Sequence, residues 1–391
     1  MNAPGEMATV RVSRKGADRW TNGHPWIFAS DVLQDSDGPG VVAVCGPNGK
    51  PLGMALYSPQ SEIRLRLLDS RPHAVIGAAW WRERIQQAHA RRGLIDATGY
   101  RVVFGEADGL PSLIVDRYDR WAVGQLLSAG LETERAAIVE AVRAELNPAG
   151  ILLRNDANVR RREGLPTQVE LVFGEVPQDI EIREGRIRYL ASPWTGQKTG
   201  AFLDQRDNRL KAASLLRPGG RGLDCFSYHG SFALHLAATA ESVVALDISE
   251  AALARGAQNA ALNGLANIEW RLADAFEELR TMERAKESFD LVVVDPPAFA
   301  KTKAAVPQAL KGYKDINLRA IRLVRAGGYL LTASCSWHVG WPDFLDVIKA
   351  AAADSTRRVT MIERLSQPPD HPEVLSIPET GYLKGALLRV D

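Results

Sequence analysis

The sequence predicts an α/β protein: a doubly wound, mainly parallel sheet in the C-terminal half, preceded by a small β-rich domain and a small α+β domain. Three observations carry that expectation. From about residue 186, apolar strand-like runs alternate with stretches of helical length. Among them, Leu291-Val-Val-Val-Asp295-Pro-Pro is apolar enough to be buried on both faces, and it stops in an acid and two prolines that cannot extend a ladder. Last, Val359-Thr-Met-Ile362 and Leu383 to Val390 are strand-like with no convincing helix between them, which adds an antiparallel pair to the parallel sheet.

Composition narrows the classes. A chain of 391 residues has room for two or three domains, and 46% apolar residues suffice to give them cores. The formal net charge of +1 provides no global basic field, so contact with nucleic acid must rest on local clusters. Cys45, Cys225 and Cys335 are far apart, odd in number and outside any C-x-x-C, which argues against a disulfide framework or zinc site and for a reducing compartment. With no apolar signal region and no run of membrane-spanning length, a cytoplasmic protein without a metal is expected.

Residues 1–72 form the β-rich domain. Val10 to Lys15 alternates as a strand, His24-Pro-Trp26-Ile-Phe28 is an aromatic cluster after a turn, and Pro47-Asn-Gly49 is a hairpin signal between two apolar runs. Ile63-Arg-Leu-Arg-Leu67 alternates with its arginines on one face. Short strands with Arg11, Arg14, Lys15, Arg64 and Arg66 suit a small RNA-binding barrel, or equally a barrel with a solvated basic face. Residues 73–185 form the α+β domain: a helix from Ala78 to Arg92, a hairpin around Asp119-Arg120, a helix from Glu132 to Leu146 and further strands, with Arg160-Arg-Arg162 as a basic loop.

Residues 186–391 hold the chemistry. Strands at 222–225, 243–247, 268–272, 291–295 and 329–333 are separated by helices, and ligands bind such sheets at the carboxyl ends of the strands. Four acids stand there. Asp224 ends the first strand, ahead of Phe226-Ser227-Tyr-His-Gly230, and suits a cationic amino group; Gly230 lets backbone approach a ligand. Asp247 ends the second and suits a ribose diol, because Ser249 is the better cap for the following helix. Asp274 follows the third and suits an adenine amine, and Asp295 ends the fourth. Neither a G-x-G-x-x-G nor a Walker loop is present, so a dinucleotide or triphosphate is disfavoured. Ammonium, ribose and adenine together describe S-adenosylmethionine, and the terminal antiparallel pair is the arrangement of class I (Rossmann-like) methyltransferases.

The fifth strand runs into Ser334-Cys335-Ser336, beside Asp295. A cysteine there reads either as a small buried hydrophobe or as a nucleophile. In the second reading its thiolate adds to carbon 6 of a pyrimidine, carbon 5 becomes nucleophilic, and Asp295 stabilises the ring at nitrogen 3. Position alone leaves both open.

Asp295-Pro-Pro-x-Phe299, Lys311-Gly-Tyr313-Lys314-Asp315-Ile-Asn317 and Ser334-Cys335-Ser336 together resemble the RlmI family, bacterial 23S ribosomal RNA cytosine-C5 methyltransferases that use S-adenosylmethionine. Gln197 to Asp207, Asp370-His371-Pro372 and Tyr382-Leu-Lys384-Gly385 extend the likeness to nearly the full length, and the His24-Pro-Trp26 segment resembles the family's PUA domain. The resemblance implies that Cys335 attacks the base and Asp295 holds the cytosine edge. It implies that Phe226, Ser227, Gly230, Asp247, Asp274 and Asp295-Pro296 frame the cofactor. Lys198, Thr199, Phe202, Asp204 and Gln205 would lie over it or at the substrate mouth. Two departures stand out. Ala298 sits where many RNA cytosine-C5 methyltransferases carry a second cysteine, leaving the elimination base open among water, His371 and Asp370. His338 stands where a smaller residue is expected.

The competing readings are a nitrogen methyltransferase of an RNA base, which would use the Asp-Pro-Pro-x-Phe motif without a thiol, and an RNA-binding protein whose fold is a relic, against which the intact row of acids speaks. Ribosomal RNA is the expected partner, with Lys301 and Lys303 as further candidate phosphate contacts, and an exposed barrel also allows a homodimer.

Overall fold

The computed structural model describes residues 7–391. The chain divides into two compact units. One comprises the chain up to Ile182 with Ala191–Leu203 and Pro369–Gly381; the other comprises Arg183–Leu190, Asp204–Pro368 and Tyr382–Asp391.

The first unit holds two sheets. A six-stranded mixed sheet runs in the order Trp26–Phe28, Ile63–Asp69, Pro51–Tyr57, Gly40–Cys45, Thr9–Val12, Val32–Gln34, around a core of Val10, Val12, Ile27, Val42, Val44 and Leu65. A five-stranded sheet orders Gln168–Gly174, Gly150–Asn155, Trp121–Leu126, Leu113–Tyr118 and Gly99–Phe104, and shares a core with the helices Ala78–Ala90 and Arg135–Leu146 through Trp81, Ile85, Ile138 and Val142.

Several basic residues differ from expectation. The run Val10 to Lys15 is not one strand: Ser13 interrupts it and caps the helix Arg14–Thr21, its hydroxyl accepting from the Gly16 N–H at 3.2 Å. Arg14 and Lys15 are therefore helical, and exposed, as is Arg11. Arg66 is 5% exposed, and its guanidinium donates to Glu163 Oε1 (2.9 Å) and the Ile63 carbonyl (3.1 Å). The face that carries it is covered, and Glu163 supplies the charge that allows a guanidinium to be buried, so Arg66 is not offered to phosphate. Arg64 lies 3.9 Å from Asp35. Nor is Arg160-Arg-Arg162 a loop: Val159–Arg162 is a short helix, and buried Arg160 donates to the carbonyls of Pro166 and Leu126 and to Glu132.

The second unit is a seven-stranded sheet. We label its strands β1 (Arg221–Cys225), β2 (Ser242–Asp247), β3 (Ile268–Leu272), β4 (Phe289–Val294), β5 (Val324–Ser334), β6 (Val359–Leu365) and β7 (Lys384–Val390). Its helices are α1 (Arg206–Leu215), α2 (Ser231–Ala237), α3 (Glu250–Leu262), α4 (Ala275–Arg284), α5 (Val306–Leu323) and α6 (Trp341–Ser355). The order is β3-β2-β1-β4-β5-β7-β6; β1 to β5 are parallel, and β7 lies antiparallel between β5 and β6. The strand order reverses at β1 and β4, which is where doubly wound sheets open a ligand crevice. Strand β4 ends at Val294, one residue before Asp295 and the two prolines that cannot pair. Helix α5 starts at Val306, with Pro307 in its first turn where the missing N–H costs no hydrogen bond.

In the same unit, Glu184 and Arg209 are both 1% exposed. Arg209 Nε and Nη2 donate to the two carboxylate oxygens at 2.7 and 2.6 Å, and the Tyr189 hydroxyl donates to Oε2 at 3.0 Å. Burial alone would raise the Glu184 carboxyl, but Arg209, with His235 and Tyr189, holds it down at about 2. Glu184→Ala would leave the guanidinium buried without its counter-charge, so denaturant unfolding at neutral pH should show a loss of about 3–5 kcal/mol. The Glu184 pKa is lowered on folding from 4.5 to about 2. Its contribution is therefore full above the upper value and lost as pH falls through the lower one, and the gap between wild type and variant should close over that window.

Candidate active site

The site is built on the carboxyl ends of β1, β2, β4 and β5. After β1 the backbone turns sharply: Phe226, Tyr228 and Gly230 all have positive φ, at 64°, 50° and 80°. Two of the three are not glycine, a strain of the kind that collects at ligand sites. The turn is held by the Ser227 N–H donating to the Leu246 carbonyl (2.8 Å) and the Tyr228 N–H donating to Asp247 Oδ2 (2.8 Å). A Cβ on Gly230 would stand 2.3 Å from the Trp270 ring, so this turn and β3 can pack together only around a glycine.

Asp224 lies at the bottom. It is 1% exposed, its Oδ2 accepts the Ala233 N–H at 2.9 Å, and among the described residues its Oδ1 has no hydrogen-bond partner. Burial pushes this carboxyl well above the usual range, and the nearby charges of Asp295 and Asp247 push it further. The buried Ser227 hydroxyl is also without a partner among the described residues. Asp247 accepts from Tyr228 N and, through Oδ1, from Ser249 N (2.8 Å), while the Ser249 side chain caps α3 as its position suggests. Asp274 is exposed; its Oδ1 caps α4 by accepting from the Phe276 and Glu277 N–H groups at 2.9 and 3.2 Å. Phe226, Phe276 and Phe299 form an aromatic triangle with centroids 5.9–6.4 Å apart. Crowded carboxylates, an unsatisfied buried acceptor and aromatic walls fit a cationic ligand with an aromatic base.

At the end of β4, Gln205 Nε2 donates to Asp295 Oδ1 at 2.8 Å. The Gln205 amide is itself oriented, because Asn208 Nδ2 donates to its Oε1 at 2.6 Å. Asp204 Oδ2 accepts from the Tyr382 hydroxyl at 2.5 Å. The pairing of Val294 with Thr332 sets the ends of β4 and β5 side by side, and half-buried Cys335 follows β5 with Sγ 4.0 Å from the Pro296 carbonyl. Cys225, by contrast, is fully buried and its thiol is pushed well up.

Of the residues singled out from sequence, Asp204, Gln205, Asp224, Phe226, Ser227, Gly230, Asp247, Asp274, Asp295, Pro296 and Cys335 fall in this one unit. Lys198, Thr199 and Phe202 belong to the other. There Lys198 Nζ sits 4.7 Å from the Phe202 ring centroid, and Thr199 is buried, donating to Asp116 Oδ2 (2.5 Å) and meeting the Tyr118 hydroxyl (2.9 Å). The candidate bases Asp370 and His371 are buried in that same unit, with Asp370 Oδ2 accepting the Arg101 N–H at 2.9 Å. Lys301 and Lys303 are exposed just ahead of α5. Sequence reasoning passed over Phe276, Tyr313 and Lys384 as site residues. Tyr313 and Lys384 lie inside quoted motifs, but nothing in a linear motif reveals which neighbour a side chain meets.

The family model for S-adenosylmethionine-dependent methyltransferases matches residues 154–389, and that for the PUA-like domain matches residues 10–70. The chain is 38% identical, over 94% of its length and 95% of theirs, to proteins named ribosomal RNA large subunit methyltransferase I from Yersinia pestis and Yersinia pseudotuberculosis. Among solved structures, a SAM-dependent methyltransferase from Streptococcus mutans superposes with a TM-score of 0.83 at 20% identity, over 98% of this chain and 100% of that one. A methyltransferase complexed with SAH superposes with a TM-score of 0.84 at 21% identity over the same shares. Fold and site thus define a class I methyltransferase with an N-terminal PUA-like domain, whose cofactor is S-adenosylmethionine. Within that class, the chain belongs to the family of ribosomal RNA large subunit methyltransferase I.

Gly230→Ala should cost more than backbone strain. Gly219 shares its φ of 80° but has nothing within 4 Å of where a Cβ would stand, so Gly219→Ala isolates the strain, about 1–2 kcal/mol. Calorimetry should show S-adenosylmethionine binding at least about tenfold weaker in Gly230→Ala and near wild type in Gly219→Ala.

Proposed function

We propose that this chain methylates carbon 5 of a cytosine in large-subunit ribosomal RNA, with Cys335 adding covalently to the base. The observation that carries the reading is a half-buried thiol at the end of β5, with Sγ 4.0 Å from the carbonyl of the residue after Asp295. Methylation of an exocyclic nitrogen has no use for that thiol, whereas carbon 5 of a pyrimidine must first be made nucleophilic. The curated relatives named for large-subunit ribosomal RNA support the substrate.

S-adenosylmethionine supplies an electrophilic methyl group, and Asp224, Asp247, Asp274 and the turn through Phe226, Ser227 and Gly230 would hold it. The residues of the chain do the rest. The Cys335 thiolate forms a bond to carbon 6, and the displaced electron pair makes carbon 5 nucleophilic. Asp295, oriented by Gln205, meets the nitrogen 3 and amino edge of the ring where charge develops. Once carbon 5 has been methylated, loss of its proton to a base expels the thiolate and restores the aromatic ring. The target base must leave its stack to reach the thiol, which favours unpaired RNA. Exposed Arg11, Arg14, Lys15, Lys301 and Lys303 suit phosphate contacts.

Transfer of labelled methyl to large-subunit ribosomal RNA, followed by nucleoside analysis, tests the reading. Wild type should yield 5-methylcytidine and Cys335→Ala should lose at least about a thousandfold in rate. An N-methylated base made equally well by Cys335→Ala would establish the nitrogen methyltransferase instead.

RNA binding should weaken as salt rises. The double substitution Arg14→Ala with Lys15→Ala should reduce the slope of log affinity against log salt by up to about two if both side chains neutralise phosphates. Filter binding across a salt series measures it, and an unchanged slope would remove these residues from the interface.

A further inference from the structure

We propose that Lys384 is the counter-charge of Cys335, a positioning residue whose buried ammonium keeps the nucleophile in its thiolate form. The proposal rests on the reading of Cys335 as the nucleophile, and names what activates it.

The geometry begins with strand register. Lys384 opens β7 and lies opposite Ser334 of β5, the residue before the cysteine. Its side chain is driven inward: the residue is 4% exposed, and Nζ donates to the carbonyls of Ser336 and Tyr382, both at 2.8 Å. The ammonium is thus fixed to the backbone of the residue that follows Cys335. An ammonium carries three N–H donors, and two are spent on neutral carbonyls. Among the described residues no carboxylate forms an ion pair with it. A buried cation in that position is costly unless an anion faces it.

Around the pair, β7 contributes Lys384 itself. From α5 there is Tyr313, whose hydroxyl meets Ser334 Oγ and Ser336 Oγ at 2.9 Å each, and whose phenol is pushed up by burial and so stays neutral. From the end of β4 come Asp295 and the Pro296 carbonyl, and His338 lies three residues further along the loop. Asp295 and the carbonyl oppose a thiolate, and Lys384 favours one. Burial lowers the Lys384 pKa to about 8, and the charge of Cys335 is what draws it back upward. Such coupling is mutual: a thiolate that favours the ammonium is favoured by it to the same degree. With the lysine protonated and the sulfur a thiolate, the pair carries no net charge. When the sulfur electron pair forms the bond to carbon 6, the ammonium loses its partner, which favours later return of the thiolate as leaving group.

A purely structural lysine would tie Ser336 to Tyr382 and leave the thiol ordinary. Iodoacetamide alkylation of the full chain as a function of pH separates the two, with Cys335 followed by peptide mass spectrometry because Cys45 and Cys225 are buried. Wild type should show a midpoint for Cys335 below the ordinary thiol value of about 8.5. Lys384→Gln keeps a hydrogen-bond donor without the charge; it should raise the midpoint by about one unit and slow alkylation at pH 7 about tenfold. Lys384→Arg keeps the charge and should remain within about threefold of wild type. A wild-type midpoint at or above the ordinary value overturns the proposal without reference to any variant, as does an unchanged midpoint in folded Lys384→Gln. If the alkylation pattern holds but wild type forms no 5-methylcytidine, the ion pair stands and the assignment of the reaction falls.

Discussion

Three acids, Asp224, Asp247 and Asp295, end neighbouring parallel strands, and holding them together at one edge of the sheet is the constraint around which the site is built. Each is stabilised differently. Asp247 is clamped by two backbone N–H groups, Asp295 accepts from an oriented glutamine, and Asp224 sinks into the core with one oxygen bonded and its pKa driven upward. A cationic ligand relieves that crowding, because it contributes the charge that the strand ends lack. Doubly wound sheets place all such ends on one edge, so the topology itself concentrates the acids.

Around this edge the backbone is held close. The turn after β1 places two non-glycine residues in the left-handed region and fills the space beside Gly230 with the Trp270 ring. Trp270 also meets Gly256 of α3, where an added Cβ would fall 2.4 Å from the ring. One indole therefore wedges β3 against the first turn and against a helix. Rigidity of this kind keeps a site within the tolerance that group transfer requires.

Arginine has two roles in the chain, and charge counting cannot tell them apart. Arg66, Arg101, Arg160 and Arg209 are buried partners of Glu163, Asp116, Glu132 and Glu184. The near balance of 48 basic and 47 acidic residues is thus partly an account of internal pairing, and only the remainder forms a surface field. That is why an arginine on an alternating strand, such as Arg66, read as a basic face and proved to be interior.

The sequence by itself determined the alternation of strands and helices, the acids at the strand ends, the stop at Asp295-Pro-Pro and the terminal antiparallel strands. These are properties of local period, of backbone groups that proline removes, and of side-chain charge, all of which a linear string carries. It also brought Cys335 beside Asp295, because adjacent parallel strands fix that neighbourhood. Only the tertiary structure decided that Asp224 is buried, that Arg66 and Arg160 face inward, and that Lys384 stands by the cysteine loop. Each depends on what covers a side chain from a distant part of the chain, about 50 residues away for Lys384 and Ser336 and nearly 100 for Arg66 and Glu163. Burial and pairing over such separations set whether a charge is solvated, paired or activated, and local pattern carries no record of them.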